Sequence, residues 1–185
     1  MTLRVLGVDP GLTRCGVGVV EVRPDRTASL VHVEVLRTPP DQALELRLLT
    51  IGRGLERLLD EHRPQAFALE RVFAQQNVPS VMGVAQISGI ALLLAAERSV
   101  PIGLHTPSEV KAAVTGYGNA DKRQVTTMVA RLLGLAELPK PADAADALAI
   151  AICHAWRQPQ PVAAGAPLTP AQRAWRAAEA GAKRR

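Results

Sequence analysis

Aromatic residues and cysteines are both scarce in this chain of 185 residues. Aromatics make up 3% of the sequence although 48% of it is hydrophobic, so the core must be built from Val, Leu, Ile and Ala. The two cysteines, Cys15 and Cys153, are far apart, which excludes a disulfide framework and a cysteine-based metal cluster. Two isolated thiols are typical of a reducing cytoplasm.

The sequence also lacks the features of a leader peptide and of a membrane anchor. Its N-terminus enters an apolar run directly, without the charged region and cleavage site of a signal peptide. Residues 74–96 contain no charged side chain, but Gln, Asn, Ser and Pro interrupt them, whereas a membrane span needs about 20 mostly apolar residues. We therefore expect a cytoplasmic protein with no membrane contact, in which residues 74–96 form a buried or interface helix.

The formal net charge of +5 is concentrated at the C-terminal end. Residues 157–185 carry six basic side chains and one acid, so the remainder of the chain is neutral. Prolines spaced among alanines and glycines beyond Pro159 are typical of a linker. The sequence thus predicts one domain over residues 1–157 and a flexible, Pro/Ala-rich basic tail over residues 158–185, with a short basic helix at 169–180. Such a tail suits a polyanionic partner.

Apolar periodicity predicts strands and helices in a mixed order. Runs of β-branched residues bounded by glycine or proline indicate strands, and leucines at helical spacing indicate helices. The expected strands cover 3–9, 15–22, 28–36, 65–69 and 100–104, and the expected helices cover 41–62, 80–98, a short stretch begun by a capping box at Thr106, 121–134 and 142–156. This order implies an α/β fold, with a mixed sheet of about five strands flanked by helices and an antiparallel meander formed by the first three strands.

Four carboxylates lie where predicted elements begin or end. Asp9 closes the first strand and Glu70 follows the fourth, while Asp143 and Asp146 lie on one face of the last helix. Each has an ordinary structural interpretation, because Asp9 suits an Asp-Pro-Gly turn and acids at a helix start are favoured by the dipole. If the first and fourth strands are neighbours and the last helix crosses their ends, however, all four side chains converge.

A convergent set of carboxylates is unfavourable unless a cation offsets the mutual repulsion. Hard divalent cations prefer oxygen ligands. Two such ions about 3.5–4 Å apart promote in-line displacement at a phosphodiester. The pattern therefore indicates metal-dependent cleavage of nucleic acid, provided that the four acids meet in the fold.

Three segments that carry these acids resemble the acidic motifs of the RuvC family of bacterial Holliday-junction resolvases. The segments are Gly7-Val-Asp9-Pro-Gly-Leu-Thr13, Ala68-Leu-Glu70-Arg-Val-Phe73 and Ala142-Asp143-Ala-Ala-Asp146-Ala-Leu148, and the similarity extends through Glu109-Val-Lys111 and Ala120-Asp-Lys122. The resemblance implies a ribonuclease-H-like fold and a homodimer. It also implies Mg²⁺-dependent, paired symmetrical nicking of strands of like polarity at a four-way DNA junction. The products would be ligatable 5′-phosphate and 3′-hydroxyl ends, in homologous recombination and DNA repair.

The resemblance also assigns roles to individual residues. Asp9, Glu70, Asp143 and Asp146 become the catalytic metal ligands for two Mg²⁺ ions per site, with Mn²⁺ able to substitute. Lys111 and Lys122 become cations near the cleaved strand, where otherwise they would be ordinary solvated helix lysines. Phe73 becomes an aromatic that stacks on bases at the open junction centre, where otherwise it would be a core residue. Arg71 and Arg14 become further DNA-binding residues.

The family link implies two protein partners. The charge-free helix would bury its second side in a homodimer, whose symmetry matches the nearly two-fold symmetry of a junction. Cooperation with the RuvA–RuvB branch-migration complex is implied by the resemblance alone.

Three other interpretations are compatible with parts of the sequence. Actin-like ATPases and sugar kinases begin with a similar turn, but they need a second glycine-rich phosphate loop and roughly twice this length. A non-catalytic junction-binding module would not require all four acids. A relative acting on another branched or RNA substrate stays open, because a fold does not determine a substrate.

Overall fold

The computed structural model describes residues 2–71 and 78–158. The strands are β1 (Leu3–Asp9), β2 (Arg14–Val22), β3 (Ala28–Arg37), β4 (Ala66–Glu70) and β5 (Ile102–His105). The helices are α1 (Leu44–His62), α2 (Val78–Glu97), α3 (Pro107–Thr115), α4 (Lys122–Leu132) and α5 (Ala142–Arg157).

The strands form a single mixed sheet in the order β3-β2-β1-β4-β5. β1, β2 and β3 are antiparallel neighbours, which confirms the expected meander. β4 then pairs in parallel with β1 on one side and with β5 on the other. Because β1 and β4 are parallel neighbours, their C-terminal ends lie at the same edge of the sheet.

Helices cover both faces of the sheet and enclose two apolar clusters. On one face, α5 packs against β1 and β2, with α3 and α4 beside it. On the other face, α1 and α2 cover a cluster that includes Leu6, Val8 and Phe67. Alternate residues of β1 therefore enter opposite clusters, as the period of a strand requires.

The approach of α5 to the sheet depends on small residues. A Cβ atom at Gly7 or Gly16 would collide with backbone of α5, and one at Gly18 would lie 2.8 Å from a Leu148 methyl carbon. The facing side of α5 contains alanines, including Ala147 and Ala151. Glycine opposite alanine allows the helix backbone to lie almost directly on the strands.

Element boundaries depart from the sequence predictions at a few ends. α1 begins at Leu44 rather than at Asp41, because the residues after the Pro39-Pro40 pair form a turn in which the Gln42 N–H donates to the Pro39 carbonyl oxygen. β5 begins at Ile102 rather than at Val100, whose N–H instead closes the end of α2 by donating to Ala95.

Other boundaries agree with the predictions to within two residues. The Thr106 capping box is present as expected, with reciprocal bonds between Thr106 and Glu109. The predicted helix at 169–180 lies outside the described residues. Within residues 2–71 and 78–158, none of the helices combines the length and apolarity that a membrane crossing requires.

Candidate active site

The parallel pairing of β1 with β4 places two acids at one edge of the sheet. Val8 pairs with Leu69, so Asp9 and Glu70 end adjacent strands at the same level. Both side chains are partly buried. Glu70 also lies opposite His105, the last residue of β5.

Helix α5 brings the other two acids to the same edge. Gly16 pairs with Asp9 across the β1–β2 ladder, and the backbone of Asp143 lies directly over Gly16. The N-terminal turn of α5 is therefore positioned above the end of β1. Asp143 and Asp146 occupy this first part of the helix, where the dipole favours negative charge.

Three of the four acids line one cleft of about 370 Å³ between the sheet edge and helices α3, α4 and α5. The cleft also contains two lysines and a rim of apolar side chains. Its lining residues are Asp9, Glu70, Asp146, Lys111, Lys122, Pro107, Val110, Val125 and Ala149.

The electrostatics of the cleft favour a bound cation. Burial, followed by repulsion from Glu70, Asp146 and Asp143, raises the pKa of Asp9 to about 7 from an ordinary value of 3.8. Burial and the neighbouring Asp146 also raise the pKa of Glu70. Oxygen donors that repel one another in a part-buried cleft are the ligand set that suits Mg²⁺ or Mn²⁺.

Cationic side chains already contact two of the acids. Lys122 Nζ lies 2.9 Å from Asp146 Oδ2, and this hydrogen bond raises the pKa of Lys122. Arg14 Nε lies 3.1 Å from Asp143 Oδ2. Asp143 consequently faces a second cavity of about 420 Å³, lined by Gly11, Leu12, Thr13, Arg14, Arg47, Gly83, Val84 and Asp143.

Because of these ion pairs, the four carboxylates lie near one another but are not oriented toward one shared metal position. Across residues 2–71 and 78–158, no three His, Cys, Asp or Glu side chains are arranged to hold one metal ion as they are oriented. Asp143 and Asp146 both act electrostatically on Asp9, but Arg14 holds Asp143 and Lys122 holds Asp146. The donor set thus fits a divalent cation after two ion pairs are exchanged.

Comparisons with known proteins agree with this geometry. Residues 5–154 match the family model described as crossover junction endodeoxyribonuclease RuvC. The chain belongs to the RuvC family. This is a family of metal-dependent endonucleases, and its ribonuclease-H-like fold is the one described above.

Individual relatives support the same assignment. The crossover junction endodeoxyribonuclease RuvC of Leifsonia xyli subsp. xyli is 64% identical over 193 residues, which cover 97% of this chain and 93% of that relative. The corresponding protein of Clavibacter sepedonicus is 59% identical and covers 96% of this chain and 97% of its own length. Thermus thermophilus RuvC, solved in complex with a Holliday junction substrate, superposes with a TM-score of 0.79 at 39% identity, over 83% of this chain and 93% of that one.

The remaining residues implicated by the RuvC resemblance have different surroundings. Lys111 lines the acidic cleft from α3, as Lys122 does from α4. Arg71 is exposed just after β4, and its backbone N–H donates to the His105 carbonyl oxygen over 2.7 Å. Arg14 is bound to Asp143 at the edge of the cleft. Phe73 lies outside the described residues.

Sequence reasoning missed one residue that shapes this RuvC site. Arg47 of α1 donates from Nη2 to Thr13 Oγ1 over 2.8 Å and from Nε to Thr38 Oγ1 over 3.0 Å. Thr38 Oγ1 in turn donates to the carbonyl oxygen of Leu12. Arg47 thereby holds the turn between Asp9 and Arg14, and no sequence signal distinguishes it from the other arginines of α1.

Proposed function

We propose that this chain is a Holliday junction resolvase, a homodimeric and cytoplasmic Mg²⁺-dependent endonuclease. It makes paired symmetrical nicks in strands of like polarity at four-way DNA junctions and leaves 5′-phosphate and 3′-hydroxyl ends, in homologous recombination and DNA repair. The observation that carries this proposal is the convergence of Asp9, Glu70 and Asp146 in one cleft with Lys111 and Lys122.

The metal ligands in this proposal are Asp9, Glu70, Asp143 and Asp146. Asp9 is central, because burial and then repulsion from the three other carboxylates raise its pKa. Held by these four carboxylates, two Mg²⁺ ions would supply Lewis-acid stabilisation of the attacking and the leaving oxygen of a phosphodiester. Apolar side chains, among them Val110 and Val125, line the cleft beside the carboxylates.

The two lysines are proposed to act on the scissile phosphate. Lys122 holds Asp146 in the described structure, and after exchange its ammonium would be free to neutralise phosphate charge. Lys111 enters the cleft from the adjacent helix, so that the phosphate would meet positive charge from both α3 and α4. Charge placed in advance where negative charge develops lowers the barrier without reorganisation.

Further DNA contacts are proposed for Arg14, Arg71 and Phe73. Arg71 is exposed next to Glu70, which favours contact with a strand entering the cleft. For Phe73, three residues beyond Glu70, the support is the family motif, and the role is stacking on bases at the junction centre.

A homodimer is proposed to form through α2 and neighbouring parts of α1. Met82 and Leu93 of α2 are 54% and 59% exposed, and Leu46 and Leu49 of α1 are 47% and 53% exposed. Large apolar side chains grouped on one face of a protein mark an interaction surface. A symmetric dimer would present two equivalent clefts to two strands of like polarity.

Two further proposals rest on sequence and family alone. Residues 1–157 form the nuclease domain and residues 158–185 form a Pro/Ala-rich basic tail. The enzyme cooperates with the RuvA–RuvB branch-migration complex.

The proposed activity is tested by incubating the protein with a synthetic four-way junction in Mg²⁺, beside an Asp9→Asn variant. We expect paired symmetrical nicks from the wild type, and junction binding without cleavage from the variant. A linear duplex, a fork and an RNA–DNA hybrid serve as control substrates. Preferential cleavage of one of these controls would replace the substrate assignment, and absence of cleavage in both Mg²⁺ and Mn²⁺ would refute the nuclease.

A further inference from the structure

The ion pair between Arg14 and Asp143 lies on the boundary between the acidic cleft and the second cavity. Arg14 is the first residue of β2, and its side chain is 57% exposed. The side chain of Asp143 is 18% exposed. One solvent-exposed cation therefore holds a carboxylate that is itself mostly buried.

A second arginine adjoins this ion pair. Arg37, the last residue of β3, is exposed and is the direct cross-strand partner of Arg14. Side chains of directly paired residues project from the same face of a sheet, and like charges in that arrangement are destabilising. The Asp143 carboxylate reduces this repulsion by lying against Arg14. If Asp143 turns away, two neighbouring guanidinium groups are left without that negative charge.

The backbone beneath Arg14 is firmly held. Arg47 binds the Thr13 and Thr38 hydroxyl groups, and the Thr38 N–H donates to the Thr13 carbonyl oxygen over 3.2 Å. The turn before Arg14 therefore has little freedom to move. Any change of partner at Arg14 has to occur through rotation of its side chain.

We propose that Arg14 exchanges its anionic partner during assembly of the active complex, an inference that rests on the proposed function. In the free protein Arg14 binds Asp143 and holds this carboxylate toward the second cavity. When a divalent cation draws Asp143 toward Asp9, Arg14 turns to a phosphate group of the junction strand, beside Arg37. Arginine suits this exchange because its planar fork fits carboxylate and phosphate alike.

This exchange couples metal binding to DNA binding. Arg14 competes with the cation for Asp143, so it weakens metal binding to the free protein. When DNA binds Arg14, Arg14 no longer competes with the cation for Asp143. When the cation binds Asp143, Asp143 no longer competes with DNA for Arg14. Each ligand therefore increases the affinity of the other by the same factor, as thermodynamic linkage requires.

Removal of the guanidinium should have opposite effects on the two ligands. In Arg14→Gln we expect the affinity of the free protein for Mg²⁺ to rise about fivefold and the affinity for the junction to fall about tenfold. We also expect the enhancement of junction affinity by metal to shrink by about fivefold or more. Arg14→Lys, which keeps the charge without the fork, should retain part of the coupling.

Two further variants separate this exchange from simpler effects. Arg37→Gln removes a neighbouring cation that does not contact Asp143, so it should weaken junction binding and leave Mg²⁺ affinity unchanged. Arg23→Gln lies in the turn at the far end of β2 and should change neither. Mg²⁺ binding is measured by calorimetry without DNA. Junction binding is measured by fluorescence anisotropy in EDTA and in Ca²⁺, with a gel to verify that the DNA stays intact.

The results distinguish this inference from the proposed function. If the wild type binds both ligands while Arg14→Gln weakens both, or leaves Mg²⁺ affinity unchanged, the exchange is wrong and the nuclease assignment stands. If the wild type binds no divalent cation or no junction, the proposed function itself is wrong and the exchange is lost with it. Opposite changes in the two affinities, found in Arg14→Gln and not in Arg37→Gln, would support the exchange.

Discussion

A methyl group added to Gly16 of β2 would collide with the backbone carbonyl oxygen of Asp143 in α5. The two residues therefore lie in direct backbone contact at the place where the helix meets the sheet. Because backbone atoms cannot rotate away, any side chain at position 16 has to displace the helix that carries two of the proposed ligands.

Gly16→Ala is expected to lower the free energy of unfolding by about 1–3 kcal/mol, the usual cost of overpacking. Cleavage should fall more steeply than stability, since a shift of about 1 Å in an active site can cost about 100-fold in rate. Thermal denaturation and single-turnover cleavage measure the two effects. Gly118→Ala is the matched control, because its added carbon would make only an ordinary 3.5 Å contact. Wild-type activity in Gly16→Ala would contradict the close packing described.

Asp9→Asn is expected to stabilise the protein in the absence of metal while abolishing cleavage. Burial and three neighbouring acids raise the pKa of Asp9 to about 7, so its charged form destabilises the native state. In strong acid Asp9 is protonated in both the native and the unfolded state, so it does not destabilise the native state. The destabilisation grows as the pH rises to 7, because the unfolded state loses its proton first. At pH 8 the variant should gain about 2–3 kcal/mol in EDTA, with a smaller gain at pH 5.

Urea denaturation in EDTA and in Mg²⁺ measures the effect at Asp9. Mg²⁺ should stabilise the wild type and have much less effect on the variant. A variant that is less stable than the wild type at pH 8 in EDTA would show that Asp9 is not repelled by its neighbours.

Lys122→Met is expected to slow cleavage about 100-fold while leaving junction affinity within about threefold, because a preorganised charge acts mainly on the transition state. Its ammonium lies 2.9 Å from Asp146, at the centre of the proposed site. Single-turnover rates at saturating enzyme separate the chemical step from binding. Arg131→Met, in the last turn of the same helix, is the control and should cleave normally. If Lys122→Met lowered the junction affinity and the cleavage rate by the same factor, Lys122 would act in DNA binding only.

Leu93→Lys is expected to convert the proposed homodimer to monomers. Leu93 is 59% exposed on α2, and a charge buried in an apolar interface is strongly unfavourable. Sedimentation velocity over a range of concentrations measures the change. Leu138→Lys alters a similarly exposed leucine, at 46%, outside the helices and should keep the wild-type assembly. A monomeric wild type would overturn the dimer proposal directly.

His154 is expected to make the protein sensitive to acid. It is 5% exposed, and its Nδ1 lies 2.9 Å from His105 Nε2. Burial and then the neighbouring His105 lower the pKa of His154 to about 4 from 6.5. Glu109, Arg157 and Arg71 are the charged groups that act on the pKa of His105, and Glu109 and Arg157 form a salt bridge with each other.

The pKa of His154 is lower in the native state than in the unfolded state, so protonation favours unfolding. The native protein therefore loses stability as the pH falls from the unfolded-state pKa toward the native-state pKa. The wild type should therefore lose about 2 kcal/mol between pH 7 and pH 5 from this residue, and His154→Gln should show a smaller loss. Urea denaturation at both pH values measures the difference. Parallel losses in wild type and variant would assign the acid sensitivity elsewhere.

Much of the fold was predictable because local and global patterns agree. Alternating β-branched residues defined the meander, and the position of Asp9 and Glu70 after apolar runs predicted that the two acids would meet if their strands were neighbours. β1 and β4 are parallel neighbours, so that condition is met. The start of α3 at Thr106 was predicted correctly because the capping box involves only residues 106–109. Tertiary contacts were not needed to specify it.

Side-chain partners were not predictable from the same sequence. The distribution of the acids between two cavities depends on Arg14 and Lys122 reaching particular carboxylates, and a sequence does not encode which of many cations is near enough. The start of α1 was also missed, since Asp41 was equally suited to capping a helix and to forming a turn. The roles of the individual site residues stay predictions until the variants above are measured.

The C-terminal end of α5 gives the protein a built-in optical probe. Trp156 donates from Nε1 to the carbonyl oxygen of Arg26 in the β2–β3 turn over 3.2 Å, so the indole is fixed to the sheet at the end opposite the acids. With Trp175 replaced by Phe, emission would come from this single indole. Its emission wavelength and quenching would then report the position of α5, the helix that carries Asp143 and Asp146, on the sheet. The signal would be obtained in real time and without an attached dye.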